Sequence, residues 1–538
     1  MPRATSRRRR AATATIVLAF AVLGALPAGA VAASPEFPVG WEGYHTYAEM
    51  SADVAAVAAA YPTIVARFSI GKSYQGRELW AVKISDNVAV DENEPEVLYD
   101  GGHHADEHMG VEMALRILHW YADGYGTDPR IKGIVDTREI WIVFSVNPDG
   151  AAYDIAGRRF HYWRKNRQPT PGSTYVGTDL NRNYDYRWGG GGRTSTNPQA
   201  ITYRGPKAFS APETRAMRDF LASRVIDGRQ QIRTHITFHE AGRIVMWPYG
   251  YTLTDRPGDM TPNDHAALVR IGKAMAATNG YRPQQASDLY ITSGTTRDYA
   301  YGRYRIFSYT FELSVRDYPD DSMIGPETRR NRGAVLYLAE RAWCPLSVLG
   351  PATMAARCGA YDDDLEVTKG WRVNPEGTDT ATVGGWQRGV PRATSYLGPR
   401  QLTAAPTGRS AFATGLLAGT STSANDLDGG RTTAISPAIA LPAAAGQKLT
   451  FRWTFAHYAS ATAADELRVE VVAADGMATT VHLVQGTSVD RDGAWRNASV
   501  PLDPWAGQNI SLRFSATDGD RDGLVEAAFD DVRVTRPD

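Results

Sequence analysis

From Tyr47 to Tyr61 the segment YAEMSADVAAVAAAY places its apolar residues at helical spacing and predicts a helix. Leu79-Trp80-Ala81-Val82-Lys83, short, mostly apolar and preceded by a glycine-containing turn, predicts a first strand, and Glu96–Tyr99 (EVLY) a second. Gly110–Trp120 predicts the helix that follows. Ile140–Asn147 (IWIVFSVN) is a continuous apolar run, as a central strand buried on both faces requires. Thr234–His239 and Phe307–Leu313 predict further strands. Strands alternating with helices over 37–349 describe one α/β domain around a mixed central sheet with flanking helices. Beyond Pro351 helical spacing vanishes. Lys448–Phe455, Glu466–Val472, Ile510–Phe514 and Ala528–Val534 alternate with period two between Gly- and Asp-rich turns. They predict an all-β sandwich or jelly roll over 362–538.

The start of the chain is expected to be an address. Arg7–Arg10 form a positive region, Ala11–Leu26 an apolar one, and Ala30-Val31-Ala32 offers the small-x-small pattern of a cleavage site, so 1–32 reads as a signal peptide. The apolar run is shorter than the ~20 residues a membrane span needs and stops at Pro27. The expected product is secreted and extracellular, with no membrane attachment after cleavage. Charge agrees: 58 Lys+Arg against 59 Asp+Glu leaves a net charge of −1, which argues against a nucleic-acid partner or a polybasic membrane surface. Two cysteines exclude a disulfide scaffold or a Cys-rich zinc finger, and in an oxidising compartment Cys344 and Cys358 can pair.

Candidate metal chemistry follows the strand EVLY. In Asp100-Gly101-Gly102-His103-His104-Ala105-Asp106-Glu107-His108, a His and a Glu three apart at a strand-to-helix junction, His104 and Glu107, can point at one ion. His239, ending a predicted strand, is the candidate third ligand. Two His and one Glu with an open position suit a catalytic zinc. Other pairings remain open: His104 with His108 at i, i+4 on a helix, or His235 with His239. His239-Glu240 begins like HExxH, but residue 243 is Arg and that motif fails.

An ordered series of segments surrounds these residues: IGKSYQGREL (70–79), HHADE (103–107), VNPDG (146–150), WRKNR (163–167), GTDLNRN (177–183), FSAPE (209–213), FH (238–239) with WPYG (247–250), YITSG (290–294) and TFEL (310–313). On these motifs the chain from about 43 to 349 resembles the zinc carboxypeptidases of the carboxypeptidase A/B group, and most the bacterial carboxypeptidase T branch. The resemblance covers about 300 of 538 residues. It implies a secreted zinc metallocarboxypeptidase that hydrolyses the C-terminal peptide bond of peptides and proteins. It assigns His104, Glu107 and His239 to one Zn2+ and Asp179 to orienting the first His ligand. Glu312 becomes the general base that takes a proton from the attacking water, and Arg164 the group stabilising the oxyanion. Asn181 and Arg182 become the clamp on the substrate's terminal carboxylate, and Tyr290 the side chain that closes over the substrate.

Three positions depart from the family pattern. Asp106 replaces an Arg in the zinc motif, and Glu240-Ala241 follow the third ligand in place of Ser or Thr and Tyr, both on the upstream side of the cut. Arg297 stands where terminal side-chain preference is set. It can select C-terminal Glu or Asp by ion pairing, unless Asp288 neutralises it and leaves a broad pocket; Gly250 keeps the pocket wall open either way. The resemblance also suggests structural Ca2+ at Ser85-Asp86-Asn87 with Asp91–Glu96, and Asp518–Gly523 offers a second, weaker acidic loop. Trp371, Trp386, Trp453, Trp495 and Trp505 could form a platform for a polysaccharide or surface ligand, although such residues are more often core. Alternative functions are a zinc amidase or peptidase on bacterial cell-wall peptides, and a catalytically silent peptide-binding protein on the same fold.

Overall fold

Thr46 caps the first helix, α1 (Tyr47–Ala60), in a reciprocal box with Glu49. It leads into a hairpin of β1 (Val65–Lys72) and β2 (Glu78–Ile84). The architecture is that of a computed structural model describing residues 36–92, 94–226, 229–366, 369–395, 397–402, 409–417, 425–443, 445–519 and 523–535. The signal-peptide segment 1–32 lies outside the described residues. β1 is a strand the hydrophobic pattern did not predict, so LWAVK belongs to the second strand and EVLY to the third, β3 (Glu96–Gly101).

The chain continues through α2 (Met109–Gly124), α3 (Pro129–Val135), β4 (Glu139–Val143), α4 (Pro148–Asp154) and α5 (Pro212–Ser223). A short hairpin, β5 (Val225–Ile226) and β6 (Arg229–Gln230), precedes β7 (Ile232–Glu240) and β8 (Ile244–Trp247). Then come α6 (Pro262–Asn279), β9 (Arg282–Gln285), α7 (Ala286–Leu289), α8 (Thr296–Tyr304), β10 (Phe307–Leu313) and α9 (Ile324–Arg341). The eight-stranded sheet runs β1-β2-β4-β3-β7-β10-β8-β9. Its centre, β4-β3-β7-β10, is parallel, and antiparallel pairs join β1 to β2, β2 to β4 and β8 to β10. Alternate residues serve opposite layers. Val97, Tyr99, Ile140 and Ile142 pack in the core of α2, α6 and α9, whereas Leu98, Trp141 and Val143 pack with Met217 and Leu221 of α5. This is why the run IWIV carries no polar position. The strand stops at Val143, short of the predicted Asn147, because Asn147 caps α4, accepting the Gly150 N–H with Pro148 in the first turn.

Past residue 349 the first element is a helix, α10 (Pro351–Cys358), which corrects the expectation of no helix there. Cys344 and Cys358 are disulfide-bonded with their Cα atoms 5.8 Å apart. The strands β11 (Tyr361–Asp363), β12 (Arg372–Val373), β13 (Trp386–Gly389), β14 (Ala411–Thr414), β15 (Gly430–Ile435), β16 (Ile439–Ala440), β17 (Lys448–His457), β18 (Glu466–Ala473), β19 (Ala478–Gln485), β20 (Arg496–Pro501), β21 (Asn509–Asp518) and β22 (Val525–Thr535) follow. They make two antiparallel sheets, β13-β14-β22-β17-β20 with β11 on β22, and β12-β15-β21-β18-β19 with β16 on β21. One hydrophobic core containing Phe412, Phe451, Val469, Phe514 and Phe529 draws on both sheets. Trp386 and Trp453 are buried in it, and Trp371 and Trp505 pack against it. Trp371 lies on Phe412, Phe514 and Phe529. Trp386 and Trp453 are thus spent on the core, whereas Trp371, Trp495 and Trp505 are only partly buried.

Candidate active site

The C-terminal ends of the parallel strands β3, β7 and β10 open onto one cleft, the usual place for a ligand in such sheets. Register brings the residues level: Gly101 pairs with Phe238, and Glu312 with His239. The turn from β3 into α2 is tight. A Cβ on Gly101 would stand 2.3 Å from the Gly110 carbonyl oxygen, so only glycine lets the helix start this close to the strand. His104 and Glu107 are carried on that turn.

Three donors meet there. His104 Nδ1 is 2.6 Å from Glu107 Oε1, His239 Nδ1 is 2.7 Å from Glu107 Oε2, and the two Nδ1 atoms are 3.0 Å apart. All three side chains are buried. Two imidazole nitrogens converge on the two oxygens of one carboxylate and on each other. Their spacing is close to the about 3.3 Å between ligand nitrogens around a tetrahedral zinc. The set, two nitrogens and one oxygen, fits that ion.

The ligands are oriented from behind. His104 Nε2 lies 3.2 Å from Asp179 Oδ1, and His239 Nε2 lies 3.2 Å from Asn181 Nδ2. Arg164 donates from Nε to Asp179 Oδ2 at 3.1 Å and from Nη1 to Glu107 Oε1 at 3.3 Å, so its guanidinium edges the cluster. Asp179 also caps the turn Leu180–Arg182, accepting the Asn181 N–H. Burial opposes ionisation of Asp179, yet Arg164, Arg182 and His104 hold it well below the usual carboxylate range. Glu107 likewise stays low against burial, through His104 and His239. Burial pushes His239 down to about 4, keeping the ring neutral as a metal ligand must be. Burial first, and then the Glu107 charge, push Glu312 up to about 8. A divalent cation among the ligands opposes that second influence.

Arg182 projects beside this cluster. Its Nε donates to the Arg193 carbonyl at 2.7 Å and its Nη1 to the Asn181 carbonyl at 2.8 Å, which fixes the guanidinium. Nη2 makes no hydrogen bond among the described residues. Tyr290, half-buried after α7, has its ring 6.0 Å from the Arg182 guanidinium carbon and 4.9 Å from that of Arg193. Arg193, an exposed cation beside Tyr290, was not singled out in the sequence, where it sits in a Gly-rich loop with no motif around it.

A family model described as zinc carboxypeptidase matches residues 50–334, just over half of the chain. The chain belongs to the zinc carboxypeptidase family. It is a hydrolase of that family. It is 46% identical over 320 residues to a zinc carboxypeptidase of Saccharothrix mutabilis subsp. capreolus, covering 59% of this chain and 73% of the relative. It is 31% identical over 311 residues to carboxypeptidase A2 of Rattus norvegicus, covering 57% and 70%. Among solved structures, thrombin-activatable fibrinolysis inhibitor aligns with a TM-score of 0.51 and 26% identity, over 56% of this chain and 74% of that one. Carboxypeptidase A from Helicoverpa armigera aligns at 0.50 and 26%, over 56% and 73%.

The other histidine pairings are not formed in this zinc carboxypeptidase chain. His108 Nε2 contacts Asp154 at 3.0 Å, and His235 is held by Asp100 at 2.6 Å and Ser308 at 2.7 Å. Asn181 is fixed beside Arg182: Nδ2 faces His239 and Oδ1 accepts the Thr296 N–H at 2.9 Å, which leaves the second amide hydrogen without a hydrogen bond among the described residues. Arg297, buried on α8, pairs with its neighbour Asp298 through Nε at 3.0 Å and with Thr310 at 3.0 Å. Asp288 instead caps α7 by accepting the Gln285 N–H. The neutralising carboxylate was therefore one residue along the helix, a contact of adjacent residues that spacing does not reveal. A Cβ on Gly250 would approach Arg297 Nη2 to 2.6 Å, so only glycine leaves room beside that buried nitrogen. Nη2 lies 3.0 Å from Asp298 Oδ1 but off the hydrogen-bond direction.

Asp106 and Glu240 line one small pocket with Phe37, Trp41, Tyr44, His108, Phe160 and Tyr318, on a wall that holds neither Arg182 nor Arg297. In the first acidic loop, Asp86, Glu92 and Glu94 offer oxygens all within 4.8 Å of one another, and the carboxylates of Asp86 and Glu94 are buried without partners. Asn93 and residues 520–522 of the second loop lie outside the described residues. Asp91 and Glu96 are already ion-paired with Arg224, and Glu139 with Lys83.

Proposed function

We propose that this chain is a secreted metallocarboxypeptidase of the bacterial, carboxypeptidase T-like kind, cleaving the last peptide bond of peptides and proteins that end in a free carboxylate. One observation carries the reading: the fixed Arg182 guanidinium and Tyr290 stand beside the His104–Glu107–His239 cluster, with Glu312 level on the adjoining strand. A cation anchored at that spot recognises a chain end and admits only the terminal amide to the cleft.

Zinc, held by His104, Glu107 and His239, supplies Lewis-acid polarisation and a lowered water pKa. The protein does the rest. Arg182 Nη2 binds the terminal carboxylate, and Tyr290 closes over it and excludes water. Glu312 takes a proton from the attacking water and passes it to the leaving amine nitrogen as the C–N bond breaks. Arg164 donates to the carbonyl oxygen as it gains negative charge. Asp179 and Asn181 hold the ligand rings in place. Arg297 Nη2, buried without a hydrogen bond and given room by Gly250, favours a terminal Glu or Asp, tempered by Asp298. The complete ligand set and the intact Glu312 speak against a silent binding protein.

Secretion is supported by the basic and apolar start of the chain and by the Cys344–Cys358 disulfide, a bond of oxidising compartments. Among the described residues no helix is long and apolar enough to cross a membrane. Calcium at Asp86, Glu92 and Glu94 would relieve three adjacent buried carboxylates.

The test is hydrolysis of matched peptides with a free or amidated C-terminus, with chelator and after zinc return. Turnover of the free acid only, lost with chelator and restored by zinc, supports the reading. Equal cleavage of the amide, or chelator-resistant turnover, overturns it.

A further inference from the structure

The Gly-rich loop that follows the Leu180–Arg182 turn runs against the segment carrying Tyr290 and is tied to it. Arg193 N–H donates to the Ile291 carbonyl at 2.8 Å, and Ser293 Oγ donates to the Gly191 carbonyl at 3.2 Å. Gly192 makes the approach possible. Its φ is +75°, and a Cβ there would stand 2.1 Å from the same Ile291 carbonyl oxygen. The Arg193 carbonyl in turn accepts the Arg182 Nε–H at 2.7 Å. The backbone of one residue thus joins the anchored guanidinium of Arg182 to the peptide unit next to Tyr290.

The side chain of Arg193 points the same way. Its guanidinium carbon lies 4.9 Å from the centre of the Tyr290 ring, inside the ~6 Å at which a cation is attracted to an aromatic face. That guanidinium is exposed and makes no hydrogen bond or ion pair among the described residues, so no carboxylate competes with the ring for it. Tyr290 needs such a hold. It leaves α7 in extended backbone, is only half-buried, and its hydroxyl makes no hydrogen bond among the described residues. Arg182 stands further off, 6.0 Å from the ring, and Arg182 Nη2 is the group proposed above for the terminal carboxylate. Arg164, at the edge of the ligand cluster, also interacts with the tyrosine electrostatically, which puts the phenol on the cleft side. We propose that Arg193 is a positioning residue: stacked on Tyr290 and pinned through its backbone to Arg182 and Ile291, it holds the ring beside the carboxylate clamp, ready to cover the last residue of a peptide. The role given to Tyr290 rests on the carboxypeptidase reading; the stacking itself does not.

The experiment uses the full zinc-loaded chain and a double-mutant cycle of Arg193→Met, which keeps the alkyl stem and removes the charge, with Tyr290→Ala. For a free-acid peptide, Arg193→Met is expected to raise KM about two- to fivefold, the size of an exposed cation–ring contact, with kcat nearly unchanged. In the Tyr290→Ala background the same substitution is expected to change KM no further. Arg193→Lys, which returns a cation to the ring, is expected to recover part of the loss. Hydroxyl-radical footprinting, read by mass spectrometry at Tyr290, is expected to show faster oxidation of the ring in Arg193→Met than in the native chain. An unchanged KM and an unchanged footprint in Arg193→Met would overturn the proposal. So would an equal rise in KM with and without the Tyr290 ring, because Arg193 would then meet the substrate itself. The two readings fail separately: native turnover of the free acid but not the amide tests the carboxypeptidase, while the footprint reads Arg193 without any turnover.

Discussion

Glu312 on β10 and His239 on β7 are direct partners in a parallel pair of strands. Their separation is thus set by the sheet spacing of about 4.8 Å rather than by a loop. The neighbouring strand β3 delivers His104 and Glu107 from its end, so Glu312 and the three candidate ligands share one rigid frame.

Replacing Glu312 with Gln keeps size and position but removes the proposed proton acceptor. The variant is expected to bind zinc stoichiometrically, because no ligand is touched, and to lose about 10²–10⁴-fold in kcat. Metal analysis beside steady-state kinetics checks this. Wild-type-like turnover would show that another group moves the proton.

Arg297→Leu alone would strand buried Asp298, so the informative variant adds Asp298→Asn. Losing one charge-assisted hydrogen bond, about 1.5–3 kcal/mol, should lower kcat/KM for peptides ending in Glu by about 10–100-fold and raise it for those ending in Leu. Release rates of terminal Glu, Leu and Lys from otherwise identical peptides decide it. If the native enzyme already prefers Lys or Leu, the acidic assignment fails.

His45 Nδ1 lies 3.0 Å from buried Glu112 in the first turn of α2, and this bond raises the histidine above its ordinary value. The folded state therefore holds a proton that the unfolded chain releases earlier. That contribution to stability is complete below the unfolded pKa of about 6.5 and disappears as pH rises through the higher folded value. His45→Gln should lower the urea midpoint most at about pH 5.5 and least at pH 9. An equal deficit at both would assign the loss to packing.

The Cys344–Cys358 bond ties the end of α9 to α10, with a sequence separation of 14 residues. A closed loop of this size stabilises by about 3 kcal/mol. The double Ser variant should unfold at a lower temperature with unchanged zinc content, and reductant should reproduce the shift in the native protein.

Much of this site was legible because its motifs do two jobs. HHADE, FH and TFEL carry the candidate ligands and Glu312, GTDLNRN carries Asp179 behind them, and each belongs to a strand end or turn that fixes it. Other motif residues turn out to be scaffolding. Asp149 of VNPDG accepts from Ser73, Gln75 and Arg77, pinning the β1–β2 turn, and Asn183 bonds to Arg204, Lys207, Ser210 and Ala211. β1 was missed because VARFSIGK is half-exposed along most of its length and shows neither clean alternation nor a continuous apolar run. The engagement of Asn181 with His239 and the pairing of Arg297 with Asp298 depend on side-chain direction, which spacing does not encode. In the sandwich, alternation located β17, β18, β21 and β22 but not the other, mostly shorter strands, and it is silent on which tryptophans face inward.

β22 runs between β14 and β17 and also carries β11 on its end, where Tyr361 pairs with Val534. The opening strand of this region thus waits, unpaired, for one made some 170 residues later, and such distant closures are slow. Closure of this sheet waits on its last strand: until β22 arrives, β11, β14 and β17 have no common neighbour, and a protease that clipped it away would leave three raw edges at once.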